Sequence, residues 1–462
     1  MRLRLPLLPG EIGRTALLAF LLFTNTLVLE SSEVIATSGF VSQVGVDQIL
    51  LIWATVMVIA MLTSSAYALF VDRVQRARLA VWLFFGTSLL YLGIYVLFTA
   101  NVSGLLSYGL LAILTEQQWT LLPLVIGALT NDMFPIAATK RIFPLLATVV
   151  IIGGVAGNGL AAALGEWLGP RSYALLLVNG VLLLLGAATL WVTLRDMKTE
   201  HQQSEPDDRL RDRLKKGLEF VQNVPAYRTL AIMMLLMGFC LNTIQYQFLV
   251  DIANTYTDPG HLQTFYGSFK IASVPLLLIV QNGVTPWLLK QLGFKTIFAW
   301  LPGCMLLGLV LTLFWISPVG SILITGAIVG NFLVRVVLSS IDQPARQAFQ
   351  GLVPDQRRGR VSALMEGFLY QLGSVLSCGV VGGLVLGAQH GWLSAATGRT
   401  IAIGICILCA LIALLLVRQF YRHYDASMLN WRLKRRQHGR SVLDHLKFLG
   451  SGVWGQGSGV RS

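Results

Sequence analysis

Two carboxylates, Glu30 and Glu33, lie inside the first long apolar run of this sequence. The run carries no other charge between Thr15 and Val46. A charge at membrane depth costs about 3 kcal/mol, so it faces a protein interior or a water-filled cavity. Thr26, Glu30 and Glu33 follow the spacing i, i+4, i+7 and therefore share one helix face. This spacing predicts a polar path, although a carboxylate near a helix end can instead be hydrated among lipid headgroups.

Other ionisable and amide side chains interrupt later apolar runs. Such groups mark substrate or proton pathways in membrane proteins, or they pair with one another. The alternatives to such a functional role are a carboxylate that only stabilises the structure, a lysine whose side chain extends to the membrane surface, and an amide that joins two helices. Arg335 is expected to pair with a buried glutamate, because an unpaired guanidinium there would be costly. The predicted substrate- or proton-binding set is Glu30, Glu33, Glu116, Asn242, Gln245, Lys270 and Arg335.

The composition indicates an integral membrane protein. Charged residues make up 12% of the chain and hydrophobic residues 55%, whereas a soluble domain contains about 25% charged residues. A helix needs about 20 apolar residues to cross a bilayer. Twelve such runs are predicted near 13–36, 48–71, 79–100, 105–130, 141–164, 172–194, 229–252, 265–289, 295–316, 318–340, 361–386 and 397–417.

The basic residues predict the orientation in the membrane. Of the 35 Lys and Arg residues, 31 lie in segments on the side of the N-terminus. Arg171 and Arg399 lie in the opposite loops, and Lys270 and Arg335 lie within spans. Because positive charge accumulates on the cytoplasmic side, both termini are predicted to be cytoplasmic, in a plasma or inner membrane. The net charge of +13 therefore reflects topology and does not indicate nucleic acid binding.

One long polar stretch divides the chain. Residues 195–228 are predicted to form a cytoplasmic linker with a short amphipathic helix at 209–221. The linker separates a six-helix half at 1–194 from a second at 229–417, and a basic tail follows at 418–462. Each half has basic loops after its second and fourth spans, so the halves resemble each other.

Two six-span halves joined by a cytoplasmic linker are the plan of the major facilitator transporters. The stretch Ala68-Leu-Phe-Val-Asp72-Arg73-Val-Gln-Arg76 resembles the loop signature Gly-x-x-x-Asp-Arg-x-x-Arg of that superfamily, with Ala68 in place of the glycine. The resemblance implies an all-α integral membrane fold of 12 transmembrane helices in two six-helix halves. It also implies that Asp72 and Arg73 latch a cytoplasmic gate; the alternative is ordinary positive-inside charge. The remaining gate candidates are Lys140, Arg141, Arg358, Arg360 and Glu366. Glu366 could pair with Arg358 or Arg360; the alternative is a charge at the level of the lipid headgroups.

A closer resemblance is to the ATP/ADP translocases of plastids and intracellular bacteria. Phe23-Thr-Asn-Thr-Leu-Val-Leu-Glu-Ser-Ser-Glu-Val is similar to that family's first-span motif Phe-Asn-Tyr-Thr-Ile-Leu-Arg-Asp-Thr-Lys-Asp-Thr. Ala138-Thr-Lys-Arg-Ile-Phe-Pro-Leu resembles its Glu-Ala-Lys-Arg-Phe-Tyr-Pro-Leu, and Gly238-Phe-Cys-Leu-Asn-Thr-Ile-Gln resembles its Gly-Ile-Ser-Ile-Asn-Leu-Val-Glu. The family's first-span Arg and Lys are replaced by Leu29 and Ser32, and its seventh-span Glu by Gln245. A nucleotide needs cations in a low-dielectric cavity, so these changes favour a proton-coupled site or a cationic or zwitterionic substrate.

The sequence therefore predicts a secondary active transporter that moves a small solute by alternating access, with a proton as the coupling ion. The alternatives are an ATP/ADP or other nucleotide antiporter, and a non-transporting membrane scaffold that docks proteins through its basic tail. No enzyme is predicted, because no Ser/His/Asp set or Walker loop is present. No cofactor or metal site is predicted, since all five cysteines lie in apolar runs. The tail around Trp431–Arg440 is predicted to contact anionic lipid headgroups.

Overall fold

The computed structural model describes most of the chain. Of the predicted features, Asp72, Arg73, Arg358, Arg360 and most of the linker lie outside the described residues, and so do the side chains of Lys140 and of the basic tail from residue 424 onward. The described residues are 11–70, 75–134, 136–195, 219, 221–314, 316–319, 322–350, 353, 361 and 363–451.

Twelve helices account for nearly all of the described residues, and eleven are long and apolar enough to cross a membrane. Short 3₁₀ turns at Val46–Gln48, Gly169–Ala174 and Ile297–Ala299 connect some of them. In the first half they are α1 (Ile12–Gln43), α2 (Ile49–Phe70), α3 (Arg76–Thr99), α4 (Gly104–Met133), α5 (Ile136–Leu168) and α6 (Leu175–Arg195). In the second half they are α7 (Pro225–Thr255), α8 (Pro259–Ile279, continued by a π turn at Val280–Val284 and by Thr285–Thr296), α9 (Trp300–Phe314), α10 (Gly326–Val337, continued by a π turn at Leu338–Asp342 and by Gln343–Gln350), α11 (a π segment at Ala363–Leu369 and Tyr370–Gln389) and α12 (Ala395–Ser451).

The tenth span begins later and ends later than its apolar run predicts. Strands β1 (Ile316–Val319) and β2 (Ile322–Thr325) form an antiparallel hairpin where the prediction placed the start of the helix. Proline and glycine in this stretch disfavour a helix, and the Thr325 hydroxyl then caps α10 by accepting the Ile328 amide at 3.3 Å. Because α10 continues past Asp342, Arg335 lies deeper in the bundle than predicted.

Equivalent helix pairs hold each half together. In the first half α1 packs on α5, and in the second half α7 packs on α11. A side chain on Gly157 of α5 would collide with the carbonyl of Leu27, and one on Gly238 of α7 would collide with the carbonyl of Tyr370. Both crossings therefore require glycine at the contact, as close packing of membrane helices commonly does.

The two halves meet along α5 with α8 and along α2 with α11. We call the side of the bundle that carries residues 44–48, 169–174, 256–258 and 390–394 the distal face, and the side that carries Glu11 the proximal face. Near the distal face, Gln263 Nε2 donates to the Ala161 carbonyl at 2.7 Å and Thr264 Oγ1 to the Ala162 carbonyl at 2.8 Å.

A second contact closes the distal face at the other side of the interface. The Asp47 carboxylate, from the turn between α1 and α2, accepts hydrogen bonds from Tyr246 at 3.2 Å and Gln389 at 3.1 Å. Because both donors belong to the second half, Asp47 links the two halves. The structure is therefore in a conformation closed at the distal face.

Candidate functional site

The predicted charged residues lie at one level of the bundle. With a rise of about 1.5 Å per residue, Glu30 and Glu33 lie about 20 and 15 Å from the distal end of α1. The same arithmetic places Glu116 about 18 Å from the distal end of α4, Lys270 about 17 Å from that of α8, and Arg335 about 14 Å from that of α10. A bilayer core is about 30 Å thick, so the five residues lie near its middle.

A charged triad joins the two halves at this level. Lys270 Nζ of α8 lies 2.6 Å from Glu30 Oε2 and 2.9 Å from Glu33 Oε2 of α1. The Lys270 side chain is fully buried, the Glu30 side chain is 15% exposed and the Glu33 side chain is 39% exposed. A buried ammonium is tolerated only with paired charges. The two carboxylates therefore compensate Lys270 and leave the triad with one excess negative charge.

Hydrogen bonds extend the triad into both halves. Asn158 Nδ2 of α5 donates to Glu30 Oε2 at 2.9 Å, and the Tyr266 hydroxyl of α8 lies 3.5 Å from Glu33 Oε1. Gln245 of α7 extends this hydrogen-bond network toward α10, because its amide oxygen accepts a hydrogen bond from Asn331 Nδ2 at 3.0 Å. Asn158, Tyr266 and Asn331 were not predicted as site residues, because a neutral polar side chain in an apolar run does not by itself distinguish a site from a contact between helices.

The opposite face of α1 is fixed by side chains of its own half. Asn179 of α6 donates to Ser31 at 3.0 Å and to Ser32 at 2.8 Å. Gln118 of α4 donates to the Asn25 side chain at 3.0 Å. These buried bonds set the rotation of α1 and thereby direct Glu30 and Glu33 toward the second half. Ser32 therefore has a packing role here.

Two predicted residues beside the triad have no direct partner among the described residues. Glu116 and Arg335 are half-buried and make neither a hydrogen bond nor an ion pair within the described part of the chain. Arg335 nevertheless lies within electrostatic range of Glu30 and Lys270, and Glu116 lies within range of Glu33. Among the described residues Arg335 forms no direct ion pair with a glutamate, because Lys270 occupies the position next to Glu30 and Glu33.

Asn242 does not line this network. Its amide nitrogen lies 3.3 Å from Ser377 Oγ and 3.3 Å from Cys378 Sγ, both on α11. Asn242 is buried and joins α7 to α11 within the second half. Of the two alternatives for this residue, the structure shows the one in which an amide connects helices.

The described gate candidates make ion pairs within their own half. Arg141 lies 3.0 Å from Glu11; Arg76, the last residue of the loop signature and not itself a gate candidate, lies 2.6 Å from Asp132. Glu366 of α11 lies 3.7 Å from Arg346 of α10, which also bonds Asp342 at 2.6 Å. Arg346 was not predicted as a partner of Glu366.

A bundle of membrane-length helices with a charged contact between its halves at mid-depth defines a multi-pass membrane transporter. The sequence matches the family model described as Major Facilitator Superfamily over residues 15–378. The chain belongs to this superfamily, and it is a secondary transporter of a small solute. No curated protein matches the sequence.

Solved structures of low sequence identity have the same fold. The nucleoside transporter NupG is 14% identical, with a TM-score of 0.63 over 89% of this chain and 98% of that one. An auto-inhibited POT family peptide transporter is 11% identical, with a TM-score of 0.65 over 89% and 97% of the two chains. A bacterial homologue of the iron transporter ferroportin is 15% identical, with a TM-score of 0.61 over 90% and 100%. These likenesses confirm the all-α fold of two six-helix halves and leave the substrate open.

Proposed function

We propose that the chain is a proton-coupled transporter in which the Glu30–Lys270–Glu33 triad carries the coupling proton. The observation that supports this proposal is that a fully buried lysine of one half contacts two carboxylates of the other at mid-depth. When the halves rock apart at the distal face, these contacts must lengthen. Separating unlike charges in a low-dielectric interior is costly, and a proton on a carboxylate removes that cost.

The surroundings of each carboxylate give it a distinct part in the cycle. Glu30 is held by Lys270 and Asn158 and lies near Arg335. Glu33 is more exposed and lies near the like-charged Glu116. Water therefore reaches Glu33 more easily, and we assign it as the carboxylate through which protons enter and leave. Glu30 is the carboxylate that holds Lys270 while the distal face is closed.

We further propose that the proximal face is cytoplasmic. The split of 31 basic residues against two supports this orientation, with a plasma or inner membrane as the location. The proposed units remain residues 1–194, 195–228, 229–417 and 418–462, with the basic tail against anionic headgroups. In this orientation, the conformation closed at the distal face is closed toward the outside.

The charge balance disfavours the alternative of an ATP/ADP antiporter. Three carboxylates and two cations occupy the level of the site, so a polyanion such as ATP would meet a net negative charge. The scaffold alternative does not explain why a buried charged triad connects the halves, since such a triad is costly to maintain.

Uptake into proteoliposomes tests the proposal. Amino acids, peptides, nucleosides, polyamines, sugars and organic acids are offered with and without an acidic exterior. At least one solute is expected to accumulate only with the proton gradient, and Glu30→Gln is expected to abolish that accumulation. Glu166→Gln, a change at an exposed carboxylate of α5, is the matched control. Uptake that is the same with and without the proton gradient, or full activity of Glu30→Gln, would exclude the triad from the mechanism.

A further inference from the structure

Two opposite charges at the level of the triad are left without a direct partner. Glu116 belongs to α4 of the first half, and Arg335 belongs to α10 of the second. Neither forms a hydrogen bond or an ion pair with any residue that the structure describes. The amide of the neighbouring Gln117 is also buried without a described partner, so α4 offers more than one unused polar group. Unpaired charges near the bilayer centre mark a place for a ligand.

Each of these charges lies near a like charge of the triad. Glu116 is within electrostatic range of Glu33, and the two carboxylates repel each other. Arg335 is within range of Lys270, which repels it, and of Glu30, which attracts it. Glu30 is already in direct contact with Lys270, so an opposite charge that enters beside Glu116 or Arg335 is favourable in a low-dielectric site.

We infer that the transported solute is a zwitterion, whose cationic group binds Glu116 and whose carboxylate binds Arg335. This inference rests on the proposed function and names its substrate class. A guanidinium binds a carboxylate through two parallel hydrogen bonds, and a carboxylate accepts hydrogen bonds from an ammonium group. A zwitterion neutralises both charges at once, whereas a singly charged solute leaves one of them uncompensated.

The position of the two residues explains how such a solute would act on the transport cycle. Glu116 and Arg335 belong to opposite halves, so one bound molecule connects the halves across the site. A ligand that interacts with both halves stabilises the conformation in which both groups are within reach. A neutral solute such as an uncharged nucleoside would need neither charge, and a nucleotide would be repelled by Glu116 and by the triad.

Binding is measured by thermal shift and calorimetry on the full chain in detergent. The probes are glycine, L-alanine, L-alanyl-L-alanine, γ-aminobutyrate and ε-aminocaproate, whose charges are separated by increasing distances. For each probe, an N-acetylated analogue lacks the cation and a carboxamide analogue lacks the anion. At least one zwitterion is expected to raise the melting temperature through binding to the native state. Each singly charged analogue should bind at least about ten-fold more weakly, the effect of losing one charge-assisted bond.

Variants assign the two poles of the ligand. Arg335→Gln should remove the preference for the free acid over the carboxamide and retain the preference for the free amine. Glu116→Gln should do the reverse. Arg228→Gln and Glu166→Gln, at exposed positions of α7 and α5, should retain both preferences. Loss of one preference and retention of the other in each variant distinguishes a residue that contacts the ligand from one whose substitution disrupts the structure generally.

The inference is overturned if no zwitterion binds better than its analogues, or if both preferences survive in both variants. Tight binding of a neutral nucleoside that neither variant weakens would also overturn it. Proton coupling is scored independently by the response of accumulation to the gradient. A gradient-driven uptake of a neutral solute would therefore contradict the zwitterion and leave the proposed function intact.

Discussion

Replacing Lys270 by glutamine is expected to abolish uptake and to give a large loss of stability. The substitution leaves Glu30 and Glu33 near the bilayer centre without the cation that compensates them. Breaking a buried ion pair by removing one partner costs on the order of 3–5 kcal/mol. The melting temperature of the purified protein and proton-driven uptake in proteoliposomes measure the two effects.

Two variants show whether the effect belongs to the triad. Lys290→Gln makes the same substitution at an exposed position of α8 and should change neither stability nor uptake. The combined variant Glu30→Gln, Glu33→Gln, Lys270→Gln carries no triad charge and should recover most of the melting temperature without recovering uptake. Wild-type uptake by Lys270→Gln would exclude the triad from transport.

The second large effect is expected at Asp342, at the end of the π turn in α10. Asp342 is 1% exposed, and its carboxylate lies 2.6 Å from Arg346, whose guanidinium also lies 3.7 Å from Glu366 of α11. Asp342→Asn preserves the shape of the side chain and removes its charge. The buried guanidinium of Arg346 then keeps only the 3.7 Å ion pair with Glu366. We expect a loss on the order of 3 kcal/mol, measured as a fall in melting temperature.

A surface ion pair of the first half is the matched control for that substitution. Asp132 lies 2.6 Å from Arg76, but the two side chains are 25% and 31% exposed. Asp132→Asn should therefore cost less than about 1 kcal/mol, since solvent screens exposed pairs. Equal losses for Asp342→Asn and Asp132→Asn would show that burial of the Arg346 pair does not stabilise the proximal part of the second half.

The sequence predicts the fold well because membrane insertion constrains every span in the same way. A run of apolar residues marks each helix, and the polar linker divides them into two groups of six. The tenth span is the exception, since an apolar run near 318–340 does not distinguish a strand hairpin from the first turns of a helix. The start of α10 at Gly326 depends on the capping Thr325 and on packing that hydropathy does not report.

The charged members of the site could be predicted because each is rare and costly at membrane depth. Glu30, Glu33 and Lys270 were selected for that reason, and the structure brings them into direct contact. The amides behave differently. Asn242 and Gln245 lie three residues apart on α7, but one faces α11 and the other faces α10. Neutral polar side chains are tolerated in either environment, so tertiary packing decides their role.

The response of the distal face to pH tests the account most directly. Spin labels at Ser103 and His390, on the distal sides of the two halves, report the distance across the face by pulsed electron resonance in a cysteine-free background. A carboxylate that has lost its lysine partner binds a proton more readily, so acid favours the state in which the triad is separated. Lowering the pH from about 8 to about 4, near the ordinary pKa of an unpaired glutamate, should lengthen the distance in the wild type.

The double variant Glu30→Gln, Glu33→Gln should show the long distance at both pH values, because its glutamines mimic the protonated triad. Asp47, which also bonds across the distal face, is unchanged in this variant. A response to pH that persists in the double variant would therefore locate the switch outside Glu30 and Glu33. Proton coupling through the triad would be contradicted by a pH response that persists in the double variant, or by a wild-type distance that does not change with pH.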